Sequence, residues 1–169
     1  AYLQVVGTTV VGALGQSASP RLAKYYAARN AAAFRRLLAR LVGLGVLLGG
    51  VGLLVALVAA RPLLTVLYRP EYGDQADVFV LVMAASAVSY PASFLGYGMT
   101  AARRFKAQVP LVALITASST TACLALVPHW GLSGAALALI VAGCINLSGC
   151  LLIVGHAVRS IGRERRAQA

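Results

Sequence analysis

The side chains able to do chemistry gather mainly on one helical stripe. Ser86, Tyr90, Ser93, Tyr97 and Thr100 follow one another at spacings of 4, 3, 4 and 3, which holds them on a single face of a helix. Inside a membrane such hydroxyls have two uses. They bond to neighbouring helices at about 0.6 kcal/mol per pair, or they line a water-filled cavity that receives a ligand. Pro91 in the middle of the stripe predicts a kink or a freed carbonyl. Gln4, Thr8 and Gly12 repeat the pattern more sparsely near the start of the chain. Thr116, Ser119 and Thr120 mark one side of a later segment, and Asn146 is a lone amide within a long apolar run. Gln4, Thr8, Ser86, Tyr90, Ser93, Tyr97 and Asn146 are the candidate cavity residues.

Other constellations lead away from enzymology. The four acids are Glu71, Asp74 and Asp77 in one loop and Glu164 near the end. A transferase or hydrolase at a membrane would set carboxylates, or His with Arg, beside the chemistry. No catalytic set of that kind is present, and the expectation is a non-enzyme with no cofactor. Cys144 and Cys150, six residues apart, fall on different faces of a helix. Cys123, His129 and His156 have no partner at ligand spacing, so no metal site is expected. Gly43, Gly45 and Gly49 superficially match a dinucleotide loop, but their spacing is GxGxxxG and they lie inside an apolar run. Gly45 and Gly49 instead form a small-xxx-small pair that lets two helices approach closely. Gly131 and Gly134 suit a tight turn.

The elements that must position these residues are membrane helices. The chain has 169 residues, of which 60% are apolar and 11% charged, with a mean hydropathy of +0.82. An average soluble domain carries about 25% charged residues. Disordered chains, coiled coils and disulfide scaffolds are excluded, and a soluble enzyme is disfavoured. Fifteen Lys and Arg stand against four Asp and Glu, a net charge of +11. They sit in short gaps between apolar runs, so the partner they imply is a lipid surface and not nucleic acid. The sequence opens on Ala1 inside an apolar stretch, and the expectation is a C-terminal part of a longer chain.

A bilayer core about 30 Å thick takes about 20 helical residues, and backbone polar groups in lipid need partners within the helix. Five spans are expected, at residues 1–18, 37–60, 78–102, 109–127 and 132–158, in an all-α polytopic bundle. Apart from Arg40 at the start of the second, they hold no Asp, Glu, Lys or Arg. With Arg40 counted in the connection before it, the connections and tail carry 6, 2, 3, 0 and 4 basic residues in chain order. That alternation places the N-terminus outside and the C-terminus, residues 159–169, in the cytoplasm. Tyr68, Tyr72 and Trp130 then fall at the outer interface. Residues 19–36 read as a cytoplasmic amphipathic connection. Ser19 would cap a helix there, with Pro20 at its first position. Leu22 and Tyr26 would face the membrane, with Arg21 and Lys24 toward headgroups, and Asn30 would cap the helix that becomes the second span.

The run Arg61-Pro62-Leu63-Leu64-Thr65-Val66-Leu67-Tyr68-Arg69-Pro70-Glu71-Tyr72, followed by an apolar span, resembles polysaccharide and O-antigen flippases. These belong to the multidrug/oligosaccharidyl-lipid/polysaccharide exporter superfamily. Pro20 through Tyr26 to Phe34-Arg35-Arg36 is similar to that family's basic connection between spans eight and nine. Phe94 through Tyr97 to Arg104-Phe105-Lys106 is similar to its span ten and the loop after it. Pro128 through Ala136 is similar to its turn before the last helix. The resemblance covers nearly the whole chain and rests on the order of these motifs. It implies the second half of a transporter of twelve to fourteen spans in a bacterial inner membrane, moving lipid-linked oligosaccharide from inner to outer leaflet by alternating access.

On that resemblance the partners are membrane lipids, the lipid-linked oligosaccharide and the N-terminal half of the same transporter. Arg103 and Arg104 would draw a pyrophosphate to the inner mouth. Five spans alone cannot enclose an alternating-access cavity, so this segment by itself is not expected to transport. Two alternatives stand beside this reading: a drug or lipid II exporter of the same superfamily, or a non-transporting membrane scaffold subunit.

Overall fold

The computed structural model describes the backbone of residues 2–67, 76–102 and 105–167, and the side chains of residues 4–59, 77–102 and 108–156. Four helices make up the described chain: α1 Tyr2–Ala27, α2 Ala31–Leu67, α3 Ala76–Ala101 and α4 Phe105–Ala167. Three of them contain stretches long and apolar enough to cross a membrane, Ala31–Ala59, Asp77–Ala101 and Gln108–His156.

α3 is the central helix, packed against each of the other three. Its register with α2 is antiparallel: a Cβ on Gly49 would meet Ala87 at 2.5 Å, one on Gly45 would meet Pro91 at 2.9 Å, and one on Gly98 would meet Leu38 at 2.9 Å. The residue numbers fall along α2 as they rise along α3. Gly45 and Gly49 thus provide the close approach that their spacing predicts. Pro91 explains part of it. Lacking an N–H, it leaves the carbonyl of Ala87 without its usual helical donor, and that oxygen faces Gly49, where a Cβ would stand 3.0 Å away.

α1 runs parallel to α3, with Gly7 against the Tyr90 ring and Gly15 against the Tyr97 ring. The buried core sits toward the end shared by the α1 C-terminus, the α2 N-terminus and the α3 C-terminus. Leu22, Phe34, Leu38, Phe94 and Met99 are its centre. Outward faces of α2 and α4 carry exposed Leu47, Leu54, Val58, Leu124 and Leu152, as lipid-facing surfaces do.

Several expectations are corrected. Five separate helices are not found, because the spans at 109–127 and 132–158 both lie within α4. Gly131, at φ 54° and ψ −127°, breaks that helix. Gly134 then lies against the Leu126 carbonyl and Gly149 against Leu111, so the two arms of α4 pack antiparallel about Gly131. The span expected at 1–18 is not apolar enough to count as a crossing helix, since Gln4, Thr8, Thr9, Gln16 and Ser17 dilute it.

No new helix starts at Ser19 either. α1 continues through Pro20 to Ala27, and the Ser19 hydroxyl donates to the Gly15 carbonyl at 2.9 Å instead of capping a new helix. Leu22 points into the core, fully buried, and Tyr26 stands edge-on to Phe34 with ring centroids 5.9 Å apart. Arg21 and Lys24 are exposed.

Asn30 does cap α2. Its Oδ1 accepts from the Ala33 N–H at 3.1 Å and its carbonyl from the Phe34 N–H at 3.1 Å, as spacing predicts. α2 bends at Ala59, at φ −120° and ψ 16°, three residues before Pro62, which cannot donate to the Val58 carbonyl.

Candidate functional site

α3 positions the hydroxyl stripe, and its neighbours divide it. Tyr90 and Tyr97 project toward α1, where glycine leaves room for the rings. A Cβ on Gly7 would meet Tyr90 Cζ at 2.6 Å, and one on Gly15 would run into the Tyr97 ring. Gly12 is less crowded: a Cβ there would stand 3.9 Å from the Tyr97 hydroxyl. Ser86 and Tyr90 are buried, Tyr97 is half-buried, and Ser93 and Thr100 are exposed.

The hydroxyls are satisfied locally. Ser86 Oγ donates to the Val82 carbonyl at 3.0 Å, Ser93 Oγ to Ser89 at 2.9 Å and Thr100 Oγ1 to Gly96 at 3.1 Å. Each bond returns to the preceding turn of the same helix, a habit of Ser and Thr in apolar helices. These three donors are therefore not spent on bonds between helices. Their remaining lone pairs can accept from a ligand.

A groove of about 540 Å³ opens between α1, α2 and α3, with Ser86 and Tyr90 in its wall. Nearly everything else that lines it is aliphatic: Val6 and Val10 from α1, Leu48 and Val55 from α2, Met83 from α3. Its existence follows from sequence at two points. Gly7 and Gly49 let α1 and α2 close on Tyr90 and Ala87 of α3, and Gly52, also in the wall, carries no side chain to fill the space it faces. The surface it presents is therefore almost wholly apolar, with Ser86 and Tyr90 nearly buried in it.

The other candidates do not join this groove. Gln4 is half-buried on α1, and Thr8 is exposed with its hydroxyl on the Val5 carbonyl at 2.9 Å. Asn146, on the second arm of α4, accepts from Cys150 Sγ at 3.3 Å within its own helix. Thr116 and Thr120 pair along α4, where Thr120 Oγ1 donates to the Thr116 carbonyl at 2.9 Å. Tyr68, Tyr72, Glu71, Asp74, Arg103 and Arg104 lie outside the described residues. Trp130, beside the bend of α4, is 62% exposed. Cys123 is half-buried, Cys144 exposed and Cys150 buried.

Sequence reasoning missed Gly7 and Gly15, the residues that seat the two tyrosines. The signal was there. Two glycines eight apart on one helix face two tyrosines seven apart on another, a match that becomes visible only once the helices are known to be parallel.

Over 147 residues the chain is 22% identical to the capsular polysaccharide biosynthesis protein CapF of Staphylococcus aureus, an alignment covering 87% of this chain and 37% of that protein. The chain thus spans just over a third of that relative's length. No family model matches, and no solved structure does.

Proposed function

We propose that the chain forms part of a membrane transporter that flips a lipid-linked oligosaccharide, a precursor of capsule or other surface polysaccharide, from the inner to the outer leaflet. The observation that carries the reading is the similarity to a capsular polysaccharide protein over 87% of the chain, in a sequence with three helices able to cross a membrane. The chemistry is binding and movement, with no bond made or broken.

The architecture supports it. As one straight rod, the 49 residues of Gln108–His156 would extend about 74 Å at 1.5 Å per residue, more than twice the bilayer core. The reversal at Gly131 turns them into two passes. α2 and α3 make one pass each, and α1 is held at the same depth by its tyrosine–glycine packing on α3. The three apolar helices then make four passes, with the α2 N-terminus and the α4 C-terminus in the cytoplasm. Alternating access needs a second bundle, for which a protein of CapF's length has room. The Ser86 and Tyr90 hydroxyls in the wall of the α1–α2–α3 groove would meet the polar part of the substrate.

The test is depletion of the intact protein in its host, with lipid-linked oligosaccharide quantified on each leaflet. Accumulation on the inner leaflet and loss of surface polysaccharide are expected. Full-length protein carrying Tyr90→Phe, Ser93→Ala and Tyr97→Phe together should accumulate normally but export less. An unchanged lipid pool with new sensitivity to cationic dyes would replace this reading with a drug exporter. Unchanged export by the triple variant would remove the hydroxyl stripe from the substrate path.

A further inference from the structure

A second groove, of about 430 Å³, lies nearer the α2 N-terminus, between α2, α3 and the second arm of α4. Its composition is one-sided. Arg35 stands at one end, and Leu38, Val42, Leu95, Leu151 and Val154 form the walls. Arg35, Leu38 and Val42 sit at positions i, i+3 and i+7 of α2, so they lie along one face of that helix. From Arg35 to Val42 the groove runs about 10 Å along the helix axis.

Among the described residues the arginine has no acid near it, and the sole carboxylate side chain is Asp77. It lies at the start of α3, about 27 Å along the axis from Leu95, the α3 residue that meets this groove. Arg21, Lys24, Arg36 and Arg40 are exposed at the same end of the bundle as Arg35. The local field therefore favours an anion, and the aliphatic wall below favours a hydrocarbon chain. A guanidinium matches a phosphate as a charge-assisted donor. The groove has the two-part chemistry of one molecule: an anionic head joined to an apolar tail.

We propose that this groove is a binding site for one acidic phospholipid of the surrounding bilayer, its phosphate paired with Arg35 and an acyl chain lying along Leu38, Val42, Leu95 and Val154. The site is separate from the hydroxyl groove and requires membrane placement, but not transport. It would fix α4 against α2, helices that otherwise share few contacts, through a lipid instead of side chains.

The intact protein, purified and titrated with phosphatidylglycerol or phosphatidylcholine, can be followed by native mass spectrometry. One phosphatidylglycerol should be retained in preference to phosphatidylcholine. Arg35→Gln should weaken that retention about fivefold, the worth of one charge at an anionic surface. Arg36→Gln, which removes an equal charge outside the groove, should leave it unchanged. Gly155→Leu should displace the lipid by filling the groove, and the fold should accept it because a Cβ there meets nothing within 4 Å. Equal losses from Arg35→Gln and Arg36→Gln would mean general surface attraction and overturn the site. So would full retention in Gly155→Leu. Neither readout depends on what the protein transports, so the site and the transport reading fail separately.

Discussion

The chain reverses direction at two described places by opposite means. Between α1 and α2 the turn is made by polar chemistry. Arg29 adopts φ 52°, its N–H bonds to the Tyr26 carbonyl and the Asn30 N–H to the Tyr25 carbonyl, both at 3.0 Å. That is the paired 5→2 and 6→1 closure of a helix C-terminus, usually built on glycine. Asn30 then starts α2 with its side chain, and Tyr26 against Phe34 staples the two helices. Within α4 the turn is made by backbone freedom alone. Gly131 takes φ 54° and ψ −127°, a region closed to side chains, while Gly134 lets its arm lie on the Leu126 carbonyl. The first turn sits among five basic residues, and the second carries none within its apolar surroundings. A turn at a charged surface can be assembled from side chains. One bordered by the exposed residues His129, Trp130 and Leu132 relies on the absence of a side chain.

Substitutions can separate the two designs. The largest effect is expected from Gly131→Ala. Any Cβ is strained at that φ and ψ by about 1–3 kcal/mol, so unfolding titrations in detergent should show a loss of that order, with the α4 arms parting first. A stability equal to that of the parent would mean that the turn relaxes freely. Asn30→Ala should cost about 1 kcal/mol through loss of the cap, read in the same titration. Asn30→Ser should recover most of it, because a hydroxyl can accept the same N–H. The smallest effect is expected at Arg29→Gly. A left-handed residue other than glycine costs about 1 kcal/mol, so glycine should leave stability unchanged or raise it by up to that amount. A clear loss would show that the Arg29 side chain contributes more to the turn than its backbone takes away.

The same contrast explains what could be read in advance. Asn30 was legible as a cap, and Gly45, Gly49, Gly131 and Gly134 as packing and turn glycines, because each acts within a few residues or through its missing side chain. Ser19 and Pro20 misled. Both favour helix starts, but α1 runs on through them, since Leu22 and Ala18 are held in the core by Phe34, Leu38 and Tyr97's helix. Tertiary packing outweighed a local preference worth about 1 kcal/mol. Leu22 was assigned to the membrane because a leucine gives the same hydropathy whether it meets lipid or protein.

Sequence by itself determined that the chain is helical, that its helices are apolar enough for a bilayer and that its charges cluster in the gaps. Backbone groups in lipid have no other partners, and charges cannot remain in the apolar core. It also placed the α3 hydroxyls on one stripe, because helical periodicity fixes which residues share a face. Only the tertiary structure decided which of them share a groove. Ser86 and Tyr90 share its wall because Gly7 and Gly49 let two other helices close on α3 beside them, while Ser93 on the same stripe is left exposed. Likewise, it alone joined Arg35 to Leu95 and Val154. Those contacts depend on register between helices distant in the chain, and register is set by how the surfaces interlock.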